Sequence, residues 1–509
     1  MRRTGALFVV CVVLSACAPK RPAVEPGPSP AERLAAADAL VRAGCLDCLA
    51  AAFREYDALR SLSTVAGAAT AGATQSAALL AIRERNLGTE DSGYLKRARE
   101  LAPPSTFTPL LLEIADSLPT RGPGRQVSDD VELARMQAAN RNREAWTEAL
   151  RLHADETALS ASLWLSFNCA YVGAGQHTLG EWLAVAPTWR ETPLLTFTSA
   201  ICGTYTRSSF DSLLEGEPRF KELHYYIGLS LGFAGKIDES MEHFLLAYAW
   251  HPRWPAVTNA LAADYIALEE FDKAIEFYEH TLEVVPAFPD ALLGKAKAQT
   301  YAGTYTEAIA TLDRLLALER WLVGDARYWR AFNELQLGRL DIAWDDVEAA
   351  AKLMRNAEVP KLAGIIAYRR QQLDTARVKF DESWKVGRGE DCETGFYLGI
   401  VLAEQAQWPR TSEVLVATVA CLEKMEQKLN AEIASIRASN DRPERQERQI
   451  RRREQDIAKG RRMKATSWFN TAVSYYSLSR KDEARQYAEK VADDEQFGER
   501  ARELLSRLR

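Results

Sequence analysis

The stretch that decides the fold, residues 255–288, reads PAVTNALAADYIALEEFDKAIEFYEHTLEVVPAF. Its pattern of small and large residues recurs about every 34 residues from Lys221 to Leu422. Apolar residues within each copy follow helical spacing, and the copy is long enough for two helices joined by a turn. Copies begin at Lys221, Pro255, Pro289, Gly324, Ala357 and Cys392. The sequence therefore predicts six tandem helical hairpins.

Two positions of each copy hold small residues, which let two antiparallel helices cross closely. Position 8 holds Gly228, Ala262, Ala296, Ala331, Gly364 and Gly399, and position 20 holds Ser240, Ala274, Ala308, Ala343, Ala376 and Thr411. Large residues at position 24 are predicted to fill the space between neighbouring hairpins: Phe244, Tyr278, Leu312, Val347, Phe380 and Leu415. Pro252 and Pro286 stand where the second helix must stop.

The pattern resembles the tetratricopeptide repeat, most closely in the first two copies. The resemblance implies an all-α fold, an α-solenoid of tetratricopeptide-type hairpins over 221–422. A final unit and a capping helix are expected over 465–509, with Trp468, Ala472, Tyr475 and Ala484 at family positions. A degenerate hairpin is expected over 31–62, with its turn at Gly44, and an irregular helical region over 63–220.

The N-terminus has the pattern of an export signal. Arg2 and Arg3 precede nine apolar residues, too few to cross a bilayer, so residues 1–16 are expected to be a signal peptide. Residues 14–17, Leu-Ser-Ala-Cys, resemble the lipobox of bacterial lipoproteins, which implies lipid on Cys17. Residues 17–30 are proline-rich and fit an extended tether. By the same resemblance, with Ala18 after the cysteine, the protein is expected on the outer membrane, facing the periplasm.

Composition excludes several classes of protein. Of 509 residues, 47% are hydrophobic and 26% charged, which is ordinary for a folded chain. A net charge of -6 argues against a dedicated nucleic-acid binder. A mean hydropathy of -0.25 argues against a polytopic membrane protein.

Cysteine usage favours an oxidising compartment. Apart from Cys11 and Cys17, an even number remains: Cys45, Cys48, Cys169, Cys202, Cys392 and Cys421. Sequence alone leaves their connectivity open, and the repeats favour pairing in chain order. Cys392 and Cys421 open the first helix and close the second helix of one hairpin, which would bring them to the same end.

Residues 423–464 depart from the repeat. They hold thirteen Lys and Arg against eight Asp and Glu, with a predicted break at residues 440–443. The segment fits two long charged helices inserted as a solvated hairpin. The alternative is a protruding basic arm that contacts an anionic surface such as lipid headgroups. Its contacts would be Arg451, Arg452, Arg453, Arg461 and Arg462.

Signals of enzyme chemistry are weak. Gly228 to Gly232 matches G-x-S-x-G but falls within a predicted helix, whereas a nucleophile elbow needs a strand-to-helix turn. The histidines lack metal-ligand spacing, although His224 and His243 could face each other within one hairpin. Cys45-Leu46-Asp47-Cys48 is the one serious alternative, a thiol-disulfide oxidoreductase motif at a helix N-terminus. No catalytic residue, metal, cofactor or small-molecule substrate is otherwise implied.

Function is inferred from the surface that stacked hairpins expose. The resemblance implies a concave groove, lined by the first helices, that binds protein partners. Tyr, Phe and Arg, the types enriched in binding hot spots, recur there. The predicted groove residues are Tyr225, Phe233, Asn259, Lys297, Tyr301, Tyr328, Phe332, Tyr368, Arg369 and Phe396.

The sequence thus predicts a non-enzymatic scaffold or adaptor, lipid-anchored in a bacterial cell envelope, whose partner is an envelope protein or peptide. Assembly or pilotin-like service to a secretion, pilus or outer-membrane machine is an alternative that differs only in the partner. Binding of peptidoglycan or another glycan is a third possibility.

Overall fold

The computed structural model describes residues 27–87, 92–102, 193–202, 207–318, 322–439 and 442–508, with a few isolated positions between 143 and 151. The described parts are helices joined by short turns, and none of their residues lies in a β-strand. Helices are numbered here in chain order among these residues. None of the described helices is both long and apolar enough to cross a membrane.

The N-terminal part begins with a hairpin whose ends are fixed by local chemistry. Ser29 and Glu32 form a capping box at the start of α1, where Pro30 occupies the first turn. Gly44, with φ of 72°, ends α1 in the left-handed region that glycine tolerates. The helices of this part are α1 (Pro30–Ala43), α2 (Leu46–Leu59), α3 (Ala66–Leu87), α4 (Tyr94–Leu101), α5 (Pro193–Cys202) and α6 (Arg207–Gly216).

The repeats form successive antiparallel pairs, each packed against the next. The pairs are α7 (Leu223–Phe233) with α8 (Ile237–Trp250), α9 (Pro255–Ala267) with α10 (Phe271–Val284), α11 (Pro289–Ala302) with α12 (Tyr305–Leu316), α13 (Val323–Gln336) with α14 (Leu340–Leu353), and α15 (Glu358–Arg369) with α16 (Leu373–Val386). Then come α17 (Cys392–Glu404), α18 (Trp408–Ala438), α19 (Pro443–Ser477), α20 (Lys481–Glu489) and α21 (Gly498–Arg507). This is the α-solenoid that the sequence predicts.

The small residues at position 8 do what the sequence pattern requires. A Cβ on Gly228 would lie 2.6 Å from the Phe244 ring, and one on Gly364 would lie 2.6 Å from the Phe380 ring. Position 24 therefore packs first inside its own hairpin, and not only between hairpins as the sequence suggested. Tyr278 shows the second contact, because its ring also lies against Gly294 of the next hairpin.

The charged segment is continuous with the repeats. Helix α18 has 31 residues and runs out of the sixth hairpin, and α19 has 35 residues and runs back into the final unit. Their outer parts form a helical hairpin, here called the arm, which comprises residues 423–464. Pro443 lies in the first turn of α19, where its missing N–H costs nothing.

A buried ion pair joins the N-terminal part to the repeats. The Arg83 guanidinium on α3 binds the carboxylate of Glu222, which precedes α7, and both side chains are at most 1% exposed. Glu222 also accepts a hydrogen bond from the Leu46 backbone N–H at 3.4 Å. Burial raises the pKa of Glu222 although the neighbouring Arg83 charge opposes the rise. Arg83 additionally lies over the Phe197 ring, 5.3 Å from its centroid.

Candidate protein-binding surface

Five aromatic side chains cluster on and beside the first helices of the middle hairpins. The Trp329 ring lies at their centre, with ring centroids 5.7 Å from both Tyr301 and Tyr328 and 6.0 Å from Phe332. Phe271 joins through Tyr301 at 5.4 Å. We call these residues the aromatic patch. Tyr301 is the outermost of the predicted groove residues among them, at 43% exposed.

A lysine and a buried phenol add polarity to the aromatic patch. The Lys297 ammonium lies 5.5 Å from the centroid of the Trp329 ring, within cation–π range. Burial raises the pKa of Tyr328 to about 12, so its hydroxyl stays protonated at neutral pH and can donate a hydrogen bond. The patch therefore offers apolar area together with a cation and a phenolic donor.

The other predicted groove residues lie in different environments. Tyr225 packs into the junction between hairpins, 4.9 Å from the Trp254 ring, and Asn259 is half-buried with no partner for its Oδ1. Phe233 is 87% exposed at the end of α7. Tyr368 donates to Glu404 at 2.8 Å, and Phe396 lies beside Tyr397 at 5.4 Å. Arg369 is exposed on α15.

Next to the aromatic patch, Lys361 is held among three carboxylates. Its Nζ lies 2.7 Å from Glu358, 3.3 Å from Asp391 and 4.0 Å from Glu393. Burial alone would lower the pKa of Lys361, but these acidic neighbours outweigh burial and raise it. The ammonium is therefore charged throughout the neutral range.

The arm folds back onto the solenoid. Lys459 of the arm binds Glu393 on α17 at 2.9 Å. Nearer the tip, the Arg452 guanidinium lies 5.6 Å from the Phe271 centroid and 5.8 Å from the Tyr301 centroid. The arm thus covers one edge of the aromatic patch, so the hypothesis of an arm that protrudes from the body is wrong.

Arginines of residues 445–453, here called the arm tip, contact acidic residues at the turns of the first two hairpins. Arg445 binds Asp238 at 2.7 Å and Glu270 at 3.3 Å, and Arg453 binds Glu269. We call Asp238, Glu269 and Glu270 the acidic lip. Of the five predicted lipid contacts, Arg452 and Arg453 face this lip and Arg461 binds Glu426, while Arg451 and Arg462 are exposed.

A cleft of about 920 Å³ opens at the base of the arm. Its walls combine apolar residues such as Met425 and Met463 with the ammonium groups of Lys424 and Lys459. The Cys392–Cys421 disulfide lies in the wall. Because the arm forms one side, the shape of this cleft depends on where the arm lies.

Two disulfides are formed among the described cysteines. Cys45 pairs with Cys48, with Cα atoms 5.0 Å apart, and Cys392 pairs with Cys421, with Cα atoms 5.5 Å apart. Both sulfur-bearing residues of the first pair are buried, at 0% and 1% exposed. The predicted lipidation site Cys17, the residues of the signal peptide and Cys169 lie outside the described residues, as does the side chain of Cys202.

His224 and His243 do face each other, with their Nδ1 atoms 3.0 Å apart. Burial lowers the pKa of His224, and the neighbouring His243 lowers it further. Two imidazoles are fewer than the three protein ligands of a catalytic zinc site. The described residues hold no group of three or more His, Cys, Asp or Glu placed to bind a metal ion.

Asp264 lies behind the acidic lip with an Oδ2 that has no hydrogen-bond partner. Burial raises its pKa from 3.8 to about 6; Ser240 opposes the rise and Asp238 adds to it. The folded state therefore binds more protons than the unfolded state between these values, so the free energy of unfolding falls as pH rises through them. We expect Asp264→Asn to raise that free energy at pH 7 by on the order of 1 to 3 kcal/mol.

Thermal unfolding of wild type and Asp264→Asn at pH 7 and pH 4 measures this effect. The gain in the free energy of unfolding should shrink towards pH 4, where the wild-type carboxyl is protonated and therefore uncharged, like the amide of the variant. An equal gain at both values would show that the amide improves packing and that the buried charge is not the cause.

Comparison with known proteins identifies the repeat. Residues 265–331 match the family model described as tetratricopeptide repeat. The chain is thus a helical solenoid that contains tetratricopeptide repeats. This family is typical of scaffolds for protein–protein interaction. None of the curated proteins matches the chain in sequence.

Several solved structures are similar at low identity. A tetratricopeptide repeat protein from Parabacteroides merdae is 14% identical, with 59% of this chain and 99% of that chain covered and a TM-score of 0.33. A thermophilic repeat protein of Thermus thermophilus is 16% identical, covering 36% and 98%, with a TM-score of 0.31. A chain of an APC/C hetero-tetramer is 13% identical, covering 94% and 90%, with a TM-score of 0.41.

The sequence missed several residues of this surface. Trp329 was not among the expected groove residues because it lies one position after Tyr328, outside the positions considered. The adjacent aromatics Tyr328 and Trp329 were a visible signal, because consecutive residues point in directions about 100° apart and so cover a broad part of the helix surface. The acidic lip had no such signal, because nothing in the repeat marks which acids the arm will meet.

Proposed function

We propose that this chain is a scaffold or adaptor, lipid-anchored in a bacterial cell envelope, that binds a protein partner on the aromatic patch. The observation that carries the proposal is the patch itself, a group of large aromatics on first helices with Tyr301 exposed and Lys297 beside it. Tyrosine and tryptophan are the residues that most often dominate binding energy at protein interfaces.

The envelope location rests on the N-terminal sequence and on cysteine chemistry. The lipobox-like residues 14–17 and the tether over 17–30 fit a protein held at the outer membrane, facing the periplasm. Disulfides such as Cys45–Cys48 and Cys392–Cys421 persist in oxidising compartments such as the periplasm. The pilotin-like alternative shares all these features and differs in the identity of the partner.

The geometry does not favour the thiol-disulfide oxidoreductase alternative. An exchange enzyme needs an accessible sulfur, whereas Cys45 and Cys48 are buried within the first hairpin. Their bond also braces a helix start, since Cys45 caps α2 and its Sγ accepts a hydrogen bond from the Cys48 N–H at 3.0 Å. A structural role explains both features.

In vivo crosslinking followed by mass spectrometry tests the proposed site. The expected result is that wild type captures a defined set of envelope proteins and that the triple variant Tyr301→Ala, Tyr328→Ala, Phe332→Ala loses them. A matched control replaces three exposed apolar residues on second helices, Leu246→Ala, Ile342→Ala and Val378→Ala. It should capture the same proteins as wild type.

Two outcomes would contradict the proposal. If the triple variant captures the same proteins as wild type, the patch is not the binding site. If Cys17→Ala leaves the protein in the membrane fraction, the lipid anchor is not at this cysteine.

A further inference from the structure

The arm tip presents its arginines as one face of a helix. Arg445, Arg448, Arg452 and Arg453 follow the spacing i, i+3, i+7 and i+8 on α19, which places them together. All four lie against the acidic lip. Arg448 lies 3.3 Å and Arg452 3.8 Å from a lip carboxylate, in addition to the Arg445 and Arg453 contacts. The partners are about 175 to 207 residues apart in sequence.

The acidic lip is built to hold cations. The side chains of Glu269 and Glu270 are only 12% exposed when the arm is in place. Burial alone would raise the pKa of Glu270, but Lys273, Arg445 and Arg448 outweigh it and lower the pKa. Glu270 is therefore charged at neutral pH, and Phe271 and Tyr301 add a surface on which a guanidinium can lie.

Glu269 occupies a position that favours glycine. Position 15 of every hairpin has positive φ, and three of the six hairpins place Gly235, Gly303 or Gly338 there. Glu269 adopts φ of 60° at the same position, which strains a residue with a Cβ. The carboxylate of Glu269 binds Arg453 of the arm. A glycine at this position would relieve the backbone strain but would have no carboxylate to bind the arm.

The arm tip is held mainly by charge. Within the described part of the arm, the buried apolar side chains are Ile433, Ile457 and Met463. The ion pairs of Arg448 and Arg452 are half-exposed on the arginine side and open to screening by salt, whereas Arg445 and Glu270 are largely buried, so that their attraction is offset by the cost of removing both charges from water. Little apolar area holds the arm tip, so another ligand that presents guanidinium groups in the same geometry could replace it.

We infer that the arm is an internal competitor for the acidic lip, and that the protein partner of this surface carries an arginine-rich helical segment that displaces the arm. The inference rests on the proposed function and names the chemistry of the partner. The partner segment presents guanidinium groups on one helical face, binds Asp238, Glu269 and Glu270, and uncovers the aromatic patch as the arm leaves.

The test uses the full chain and a labelled peptide with the sequence of residues 443–457, measured by fluorescence anisotropy. The variant Arg445→Gln with Arg453→Gln frees the lip, and we expect it to bind the peptide at least tenfold more tightly than wild type does. The matched control, Arg451→Gln with Arg462→Gln, removes two exposed arginines of the same arm and should bind as wild type does. Adding Glu269→Gln and Glu270→Gln to the first variant should abolish binding.

Hydrogen exchange of residues 445–453 reports whether the arm has left the lip. It should rise in the Arg445→Gln, Arg453→Gln variant and stay unchanged in the control. Unchanged exchange in the first variant would show that the lip does not hold the arm, and peptide binding that survives loss of both glutamates would show that the lip is not the site. Either result overturns the inference.

One further outcome separates this inference from a membrane contact. If the Arg445→Gln, Arg453→Gln variant binds phosphatidylglycerol vesicles but does not bind the peptide, the arm is a membrane contact and the inference fails. Because the peptide is part of this chain, its binding is measured without an envelope partner. A failed crosslinking experiment would therefore leave this result standing, and the reverse also holds.

Discussion

Replacing Arg83 with methionine is expected to lower the free energy of unfolding by about 3 to 5 kcal/mol. Arg83 is the positive partner of Glu222, and both side chains lie out of contact with water. The loss comes from the glutamate, since its carboxyl group would remain buried either as an unpaired charge or as an acid that must take up a proton. Denaturant unfolding followed by circular dichroism measures the effect.

The double variant Arg83→Met, Glu222→Leu distinguishes this cause from lost packing. Replacing both partners of a buried pair with apolar residues is often close to neutral. We therefore expect the double variant to recover most of the lost stability. Arg97→Met, which removes a half-exposed arginine from a surface pair with Asp57, should cost less than about 1 kcal/mol. A double variant as unstable as the single one would show that packing of the Arg83 side chain causes the loss.

Replacing Phe380 with alanine is expected to cost about 3 to 5 kcal/mol. Phe380 is fully buried, lies against Gly364 of its own hairpin, and stacks on the Tyr397 ring of the next hairpin at 5.5 Å. Alanine would leave a cavity that reaches both hairpins, and the rigid helices on either side can collapse only partly. Thermal unfolding of the full chain measures the loss.

Val378 provides the control on the same helix. Its side chain is 52% exposed on α16, so Val378→Ala should change the free energy of unfolding by less than about 0.5 kcal/mol. If Phe380→Ala were as mild as Val378→Ala, the interface between these two hairpins would contribute little, and the stacked arrangement would owe its stability to other contacts.

The repeat could be predicted because the packing of its helices requires residues of particular sizes at fixed positions. Gly228 opposite Phe244 and Gly364 opposite Phe380 are contacts in which one side chain needs the space that the other gives up, so size complementarity appears in the sequence at fixed spacing. The helix boundaries followed from prolines and turns. Cys392 and Cys421 could be paired on the same reasoning, because the ends of an antiparallel hairpin meet.

The placement of the arm could not be predicted in this way. Arg445 and Glu270 are 175 residues apart in the sequence, and an ion pair between distant segments requires no particular neighbour in the sequence. The charge composition of the arm indicated a solvated or protruding segment. Composition does not show towards which part of the molecule a segment folds. Tyr301 was expected in the groove, but that an arginine of the same chain covers it became apparent only from the three-dimensional arrangement.

Helix α19 makes the arm continuous with the final unit. Its 35 residues form one rod about 52 Å long, with Arg445 near one end and Phe469 and Ala472 buried in the final unit at the other. Near its middle, α19 packs closely against α18, because a Cβ on Gly460 would lie 2.7 Å from the Met425 side chain. One continuous rod therefore connects the turns of the first two repeat hairpins, which its arginines contact, to the core of the final unit.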